Sequence, residues 1–246
     1  MSVLTLRLAG PLQSWGASAR FTRRTTESAP TKSGVVGMLA AAAGIERGDD
    51  ERLEPLAALR FGVRIDQPGT RLRDFHTAHH GVTGKSMPLS ERFYLADAVF
   101  VAALEGDRTL LAALHAALRA PVYAPYLGRR SCPPALPIEL ALHHGTASLD
   151  QVLQDEPWQA APWYRRQRRR DTTVSLAVLR EADEHEHHAD VLRDQPVSFA
   201  AEHRRYALRT VVSTTVDVPN PAAAPTRSVP RHDPFDALEE ESARCS

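Results

Sequence analysis

Arg129 and Arg130 stand side by side in the run YAPYLGRRSCP, Tyr123 to Pro133, and their planar, permanently charged forks match the oxygens of a phosphate. Tyr123 and Tyr126, a few residues earlier, offer flat faces on which a base could stack. Pro121, Pro125 and Pro133 lack backbone donors, and Gly128 reaches conformations closed to other residues, so the run is predicted to be a loop. An Arg-Arg pair beside a glycine is also ordinary solvated surface. The run alone does not choose between that and a nucleic-acid role.

A second chemistry is offered by His76, His79 and His80. An imidazole near a ribose hydroxyl, with an arginine at its phosphate, would serve metal-independent RNA cleavage. No carboxylate cluster, Gly-rich phosphate loop or Ser-His-Asp pattern accompanies them, so metal-dependent hydrolysis and nucleotide turnover have no support. A histidine in such a place also simply hydrogen-bonds or stacks. The segment DEHEHHAD, Asp183 to Asp190, gathers His185, His187 and His188 among carboxylates, but its spacing matches no common closed zinc site and it reads as a solvated loop. No metal, cofactor or catalytic residue is assigned.

These groups need elements to position them. Val3 to Leu8 alternates as a strand, broken by a loop that presents Gln13, Ser14 and Trp15. After the basic segment Arg20 to Arg24, PTKSGVVGMLAAAAG predicts a buried helix capped by Thr31 or Ser33 and stopped at Gly44, with Lys32 at its positive end. Gly34 and Gly37 weaken that helix unless close packing or a close ligand requires them. Strands are predicted at Leu59 to Asp66, Ala96 to Leu104 and Pro137 to Leu142, and a second helix at Thr109 to Leu118. The long polar segment 67–95 between two of these strands predicts a protruding hairpin or flap. Strand, helix, strand, strand, helix, strand is the ferredoxin-like, RRM-like plan. In that plan the loop after the first strand, the start of the first helix and the loop before the last strand converge, gathering Gln13, Trp15, Lys32, Ser33, Arg129 and Arg130. Trp15 as a packing residue and Ser33 as a plain cap are the ordinary alternatives.

The fold class expected is α+β: a palm over 1–145 with a thumb insertion at about 67–95, then a smaller β-rich part over 146–218. That part carries a short helix at Ser148 to Leu153, the run RRQRRR at Arg165 to Arg170, and strands at Thr173 to Leu179 and Tyr206 to Val212. Residues 219–246, rich in Pro and Ala and then acidic, are expected to be disordered.

Equal numbers of basic and acidic residues, 30 of each, argue against a protein that coats nucleic acid through a uniformly basic surface. The charge is segregated, however, so one local basic groove is compatible with a neutral chain. Two cysteines, Cys132 and Cys245, suggest neither a disulfide framework nor a zinc site, and point to a reducing, cytoplasmic setting. The amino-terminal apolar run is too short for a signal peptide and no long apolar span follows, so no membrane association is expected.

In chain order, LRLAGPLQSWG, PTKSGVVGMLAAAAGIER, LRDFHTA, RFYLADAVFVAAL and YAPYLGRRSCP resemble the CasD-type subunits of type I-E CRISPR Cascade, members of the RAMP superfamily. The resemblance covers roughly residues 1 to 155. It implies a noncatalytic RNA-binding subunit of an antiviral ribonucleoprotein complex that holds and caps the 5′ handle of the CRISPR RNA, with a ferredoxin-like palm and a β-hairpin thumb. It implies that Gln13, Ser14 and Trp15 lie in the loop after the first strand, Lys32 and Ser33 on handle phosphates, and Arg129 and Arg130 in a loop facing the handle. Arg73, His76 and Tyr94 would lie near the turn from handle to guide, with Arg24 and Tyr126 completing the RNA-binding set. The implied partners are the CRISPR RNA, a backbone subunit and the large subunit, with target DNA met only through the complex. Related I-C subunits cleave the precursor RNA, so a metal-independent endoribonuclease is the alternative. The thumb here is shorter than the family pattern, and the carboxyl-terminal tail is additional.

Overall fold

The computed structural model describes residues 1–16, 23–145, 147–183, 185–186 and 189–224. Its strands are β1 (Ser2–Ala9), β2 (Leu12–Gln13), β3 (Arg23–Arg24), β4 (Arg60–Gln67), β5 (Thr70–His76), β6 (Ser90–Ala96), β7 (Val99–Gly106), β8 (Glu139–His144), β9 (Thr173–Glu181), β10 (Asp190–Ser198) and β11 (Arg205–Pro219). Its helices are α1 (Lys32–Ala42), α2 (Asp50–Ala57), α3 (Arg108–Arg119), α4 (Leu149–Asp155) and α5 (Pro162–Gln167).

Local chemistry starts the helices where expected. Thr31 caps α1 by accepting from the Gly34 amide at 3.3 Å, and Asp107 caps α3 by accepting from Leu110 at 2.9 Å. Satisfying one of the orphan amides of a helix start in this way is worth about 1 kcal/mol. Asp49 caps α2, and Asp50 and Glu51 fill its first turn. That placement favours the positive helix end.

Seven strands form one sheet in the order β10-β11-β9-β4-β7-β1-β8, every pairing antiparallel. The architecture is mixed α/β with antiparallel sheets. The carboxyl-terminal strands therefore continue the sheet of the amino-terminal part, β9 pairing with β4. Alternation along each strand sends successive side chains to opposite faces. Leu4, Leu6 and Leu8 join the core under α1 and α3, whereas Val3, Val101 and Ala103 face Leu149, Val152 and Leu153 of α4.

A second, four-stranded sheet is built on β6, which carries β5 along one side and the short strands β2 and β3. β5 and β6 form the hairpin expected at 67–95, and its outer part, through the bridge His79 to Ser86, is exposed.

Among the described residues no helix is long and apolar enough to cross a membrane. Residues 219–224, placed by composition in the tail, are tied down by Asn220, which donates to the carbonyls of Arg168 at 2.8 Å and Asp171 at 3.1 Å. Residues 225–246, the rest of that expected tail, lie outside the described residues.

Candidate nucleic-acid interface

The run Tyr123 to Pro133 folds as a closed loop. Leu127 donates to Cys132 at 2.7 Å and Cys132 donates back to Arg129 at 2.9 Å, so buried Leu127 and Cys132 form the base and the two arginines the tip. Gly128 has φ +84° and a Cβ there would be driven into the Ser14 carbonyl oxygen, so only glycine fits. The Ser14 amide donates to the Leu127 carbonyl at 3.1 Å, which locks this loop against the 13–15 loop.

Arg129 is half-buried. It donates through Nη2 to the carbonyl of Arg24 at 2.8 Å and its guanidinium lies 4.7 Å over the ring of Tyr94. Its Nη1 is buried without a hydrogen-bond partner. A buried, unpaired guanidinium nitrogen is costly, and an anion is what would satisfy it.

Beside this arginine runs a groove of about 960 Å³. Ser33, Gly34, Gly37, Ala40 and Ala41 of α1 line it along one side, and Tyr123, Tyr126, Gly128, Arg129 and Arg130 along another. Arg24, Arg47 and Arg204 also line it, opposed by Glu46 and Asp49. Gly34 is required by packing, since a Cβ would come within 2.9 Å of Trp15 Cε3. Gly37 has no such reason: a Cβ would meet only Phe199, at 3.6 Å. Five arginines, three tyrosines counting Tyr206, and a helix face made mainly of small residues suit a flexible polyanion with flat bases.

Residues 3–212 match the family described as CRISPR-associated protein (Cas_Cas5). The chain belongs to the Cas5 family. It is 36% identical over 174 residues to the CRISPR system Cascade subunit CasD of Escherichia coli (strain K12), an alignment covering 63% of this chain and 78% of that protein. A solved structure of a Cas protein superposes with TM-score 0.67 at 37% identity, covering 90% of this chain and 97% of the other. A chain of a CRISPR RNA-guided surveillance complex superposes with TM-score 0.70 at 34% identity, covering 92% and 95%.

In this Cas5 chain the residues proposed from sequence fall into three groups. Ser33, Arg24, Tyr126, Arg129 and Arg130 line the groove. Ser14 and Trp15 line it too, but Trp15 is fully buried and cannot serve as an open stacking platform: its Nε1 donates to Gln13 at 3.0 Å and its amide to Thr26 at 2.9 Å. Gln13 is equally buried, donating to the carbonyls of Leu8 and Ala98, so it ties β1 to the residue before β7 and does not line the groove. The Ser14 hydroxyl donates to the Phe93 carbonyl at 3.1 Å.

Lys32 needs the firmest correction. It is 3% exposed and absent from the groove, its ammonium paired with Glu181 at 2.7 Å and its amide donating to Asp194 at 2.8 Å. Burial lowers its pKa from the usual lysine range, an effect Glu181 opposes. Asp194 is in turn held by Arg209 at 2.6 and 2.9 Å. The positive end of α1 is thus answered by the protein's own carboxylate, leaving no free cation there for a phosphate.

Arg73 and His76 stand on the exposed hairpin strand β5, outside the groove, and Tyr94 is buried on β6 beneath Arg129. Arg73 pairs with Glu91 at 2.6 Å. At the hairpin tip the His80 ring accepts from the Thr83 amide at 3.2 Å, and His79 Nδ1 lies 3.3 Å from the Gly84 carbonyl, so both imidazoles organise a turn. Of DEHEHHAD, residues 184, 187 and 188, which include His187 and His188, lie outside the described residues. Glu186 is an ion-pair partner of Arg180 at 2.6 Å, and that hydrogen bond pulls its carboxyl down to about 2. Among the described residues no three metal-ligating side chains are grouped to hold an ion.

Sequence reasoning missed Arg47 and Arg204. Arg47 stands without basic neighbours and Arg204 lies in the short run His203, Arg204, Arg205, and only the fold brings them to the groove.

Proposed function

We propose that this chain is a noncatalytic RNA-binding subunit of a type I-E CRISPR surveillance complex, and that its groove holds the 5′ handle of the CRISPR RNA. The observation that carries this is the half-buried Arg129, with an unpaired Nη1, at the wall of a groove shared by four further arginines and three tyrosines. Kinship with the Cascade subunit CasD and with a chain of an RNA-guided surveillance complex supports the same reading. The four strands β4-β7-β1-β8, joined through α1 and α3, have the order of a ferredoxin-like palm, and the β5–β6 hairpin is its thumb. In this role the chain works in the cytoplasm, caps one end of a row of backbone subunits, contacts the large subunit, and meets target DNA only through the assembly. It needs no cofactor.

The test is guide retention. Complexes carrying Arg129→Ala with Arg130→Ala are expected to hold handle RNA more weakly, with a salt slope shallower by about 1 to 2 because two phosphate contacts are gone. Wild-type affinity and slope in that variant would show the groove to be the wrong site. Incubating the lone protein with precursor repeat RNA in EDTA tests the noncatalytic role. Cleavage that disappears with His76→Ala would replace this reading by an endoribonuclease.

A further inference from the structure

The run RRQRRR is not absorbed by the groove, and it lies on the other face of the sheet. α1 packs with Leu4, Leu6 and Leu8, on the groove side. Tyr164 of α5 instead packs on Val174, Leu176, Trp158 and Val218, and Val178, at the same parity along β9, faces α4. The sheet therefore separates the two basic regions.

The arginines here are held out on a prepared scaffold. α5 ends in a turn in which Arg168, Arg169 and Asp171 donate back to Arg165, Arg166 and Arg168. Buried Asn220 gathers the carbonyls of Arg168 and Asp171, and the Ala224 amide donates to the Arg169 carbonyl at 2.8 Å. With its backbone turned inward in this way, the turn leaves Arg166, Arg168, Arg169 and Arg170 exposed.

The chain pairs its other arginines readily. Arg60, Arg64, Arg73, Arg180 and Arg209 each meet a carboxylate within 3.3 Å. Among the described residues, none of the five arginines of RRQRRR has a carboxylate within ion-pair distance. Arg168 lies over the Tyr164 ring at 5.6 Å, and Arg165 donates to the Ala160 carbonyl at 2.7 Å. Arg166, Arg169 and Arg170 are left with open guanidinium forks. A concentration of unpaired like charge on a neutral chain is stabilised by a polyanion.

One further residue narrows the class. Trp163 is 45% exposed, one helical turn before Arg166 on α5, standing edge-on to Tyr164 at 5.6 Å between ring centroids. A single exposed indole beside arginines offers its face to an unpaired base, which a duplex does not present.

We propose that α5 and its arginine turn form a second nucleic-acid contact, taking the phosphates of a single strand on Arg166, Arg169 and Arg170 and one of its bases on Trp163. This site stands independently of the handle groove.

The full chain is titrated with labelled, unstructured oligothymidylate over a range of salt, and the intrinsic tryptophan emission is followed in parallel. Arg166→Gln with Arg169→Gln and Arg170→Gln is expected to weaken binding on the order of tenfold and to lower the salt slope by about 2, one increment of roughly 0.7 per phosphate lost. Binding is expected to quench emission, and Trp163→Leu to abolish the quenching, since Trp15 and Trp158 are buried. Both measurements are repeated in Arg129→Ala with Arg130→Ala, where the slope difference and the quenching persist if the second site is separate. An unchanged slope in the triple variant, quenching that survives Trp163→Leu, or dependence on Arg129 and Arg130 alone would each overturn the proposal. So would a duplex bound as tightly as the single strand, or polyglutamate competing equally at matched charge, which would point to an acidic protein partner. The Trp163 readout stands if the triple variant fails to fold.

Discussion

Arg64 and Arg129 are both arginines drawn into the protein, and they are treated in opposite ways. Arg64, on β4, is fully buried, yet all of its donors are used: Nε and Nη2 grip Asp66 at 2.7 and 2.9 Å, and Nη1 and Nη2 reach the carbonyls of Leu153, Glu156 and Pro157. Asp66 also accepts from the Gln159 amide at 2.5 Å. Arg129 has one hydrogen bond, one aromatic face and one buried nitrogen with nothing to bind. A saturated guanidinium is a structural rivet, here fixing the segment after α4 to the sheet. An unsaturated one at the wall of an open groove still has a donor to offer an anion, unlike Arg209, whose Nη1 is also unpaired but which Asp194 already holds.

The largest effect expected from this contrast is in Arg64→Met. Removing one partner of a buried pair strands Asp66, so unfolding free energy should fall by about 3–5 kcal/mol, read by chemical denaturation, while the fraction still folded keeps its RNA affinity. Gly128→Ala comes next. The Cβ collides with the Ser14 carbonyl and φ is left-handed, so about 1–3 kcal/mol of stability is lost and RNA binding with it, because the arginine tip is displaced. Arg129→Ala should change stability by less than about 1 kcal/mol, with one buried orphan removed, yet weaken RNA binding by about 1–3 kcal/mol, measured by anisotropy. A large stability loss in that variant, with affinity unchanged, would erase the contrast.

The smallest effect is in acid. Glu186 has its carboxyl pulled from the ordinary 4.5 to about 2 by Arg180, so its contribution is fully present above pH 4.5 and is lost as pH falls towards 2. Thermal unfolding across that window should be less pH-dependent in Glu186→Gln.

Much of what rests on neighbouring residues was legible in the sequence, although α2, capped by Asp49, was not read from its own local signals. Gly128 among prolines marked a loop, Thr31 and Ser148 marked helix starts, and the polar stretch after Gln67 marked the hairpin. Partners far along the chain were not legible. Gln13 and Trp15 looked like loop residues because their burial depends on Ala98, Thr26 and Gly34. Lys32 looked like a phosphate ligand because Glu181 and Asp194 are distant in sequence. β10 was hidden entirely: DVLRDQPVS carries charges and a proline, which suit an edge strand that pairs on one side only. Arg64 sat unnoticed in LRFGVRID, where alternation alone gives no hint that a cation points inward.

The carboxylate that completes α1 has a consequence for how the chain is made. β1, β4, β7 and β8 are all synthesised by His144, and α1 with them, but Asp194 leaves the ribosome some fifty residues later. Until it arrives, Lys32 has neither Glu181 nor Asp194 to meet, and the first turn of the helix beneath the groove is left without its carboxylate. The amino-terminal strands can therefore assemble early, while the groove, which also needs Phe199, Arg204 and Tyr206, is finished late. The groove is complete only once the chain has been made through Tyr206 of β11.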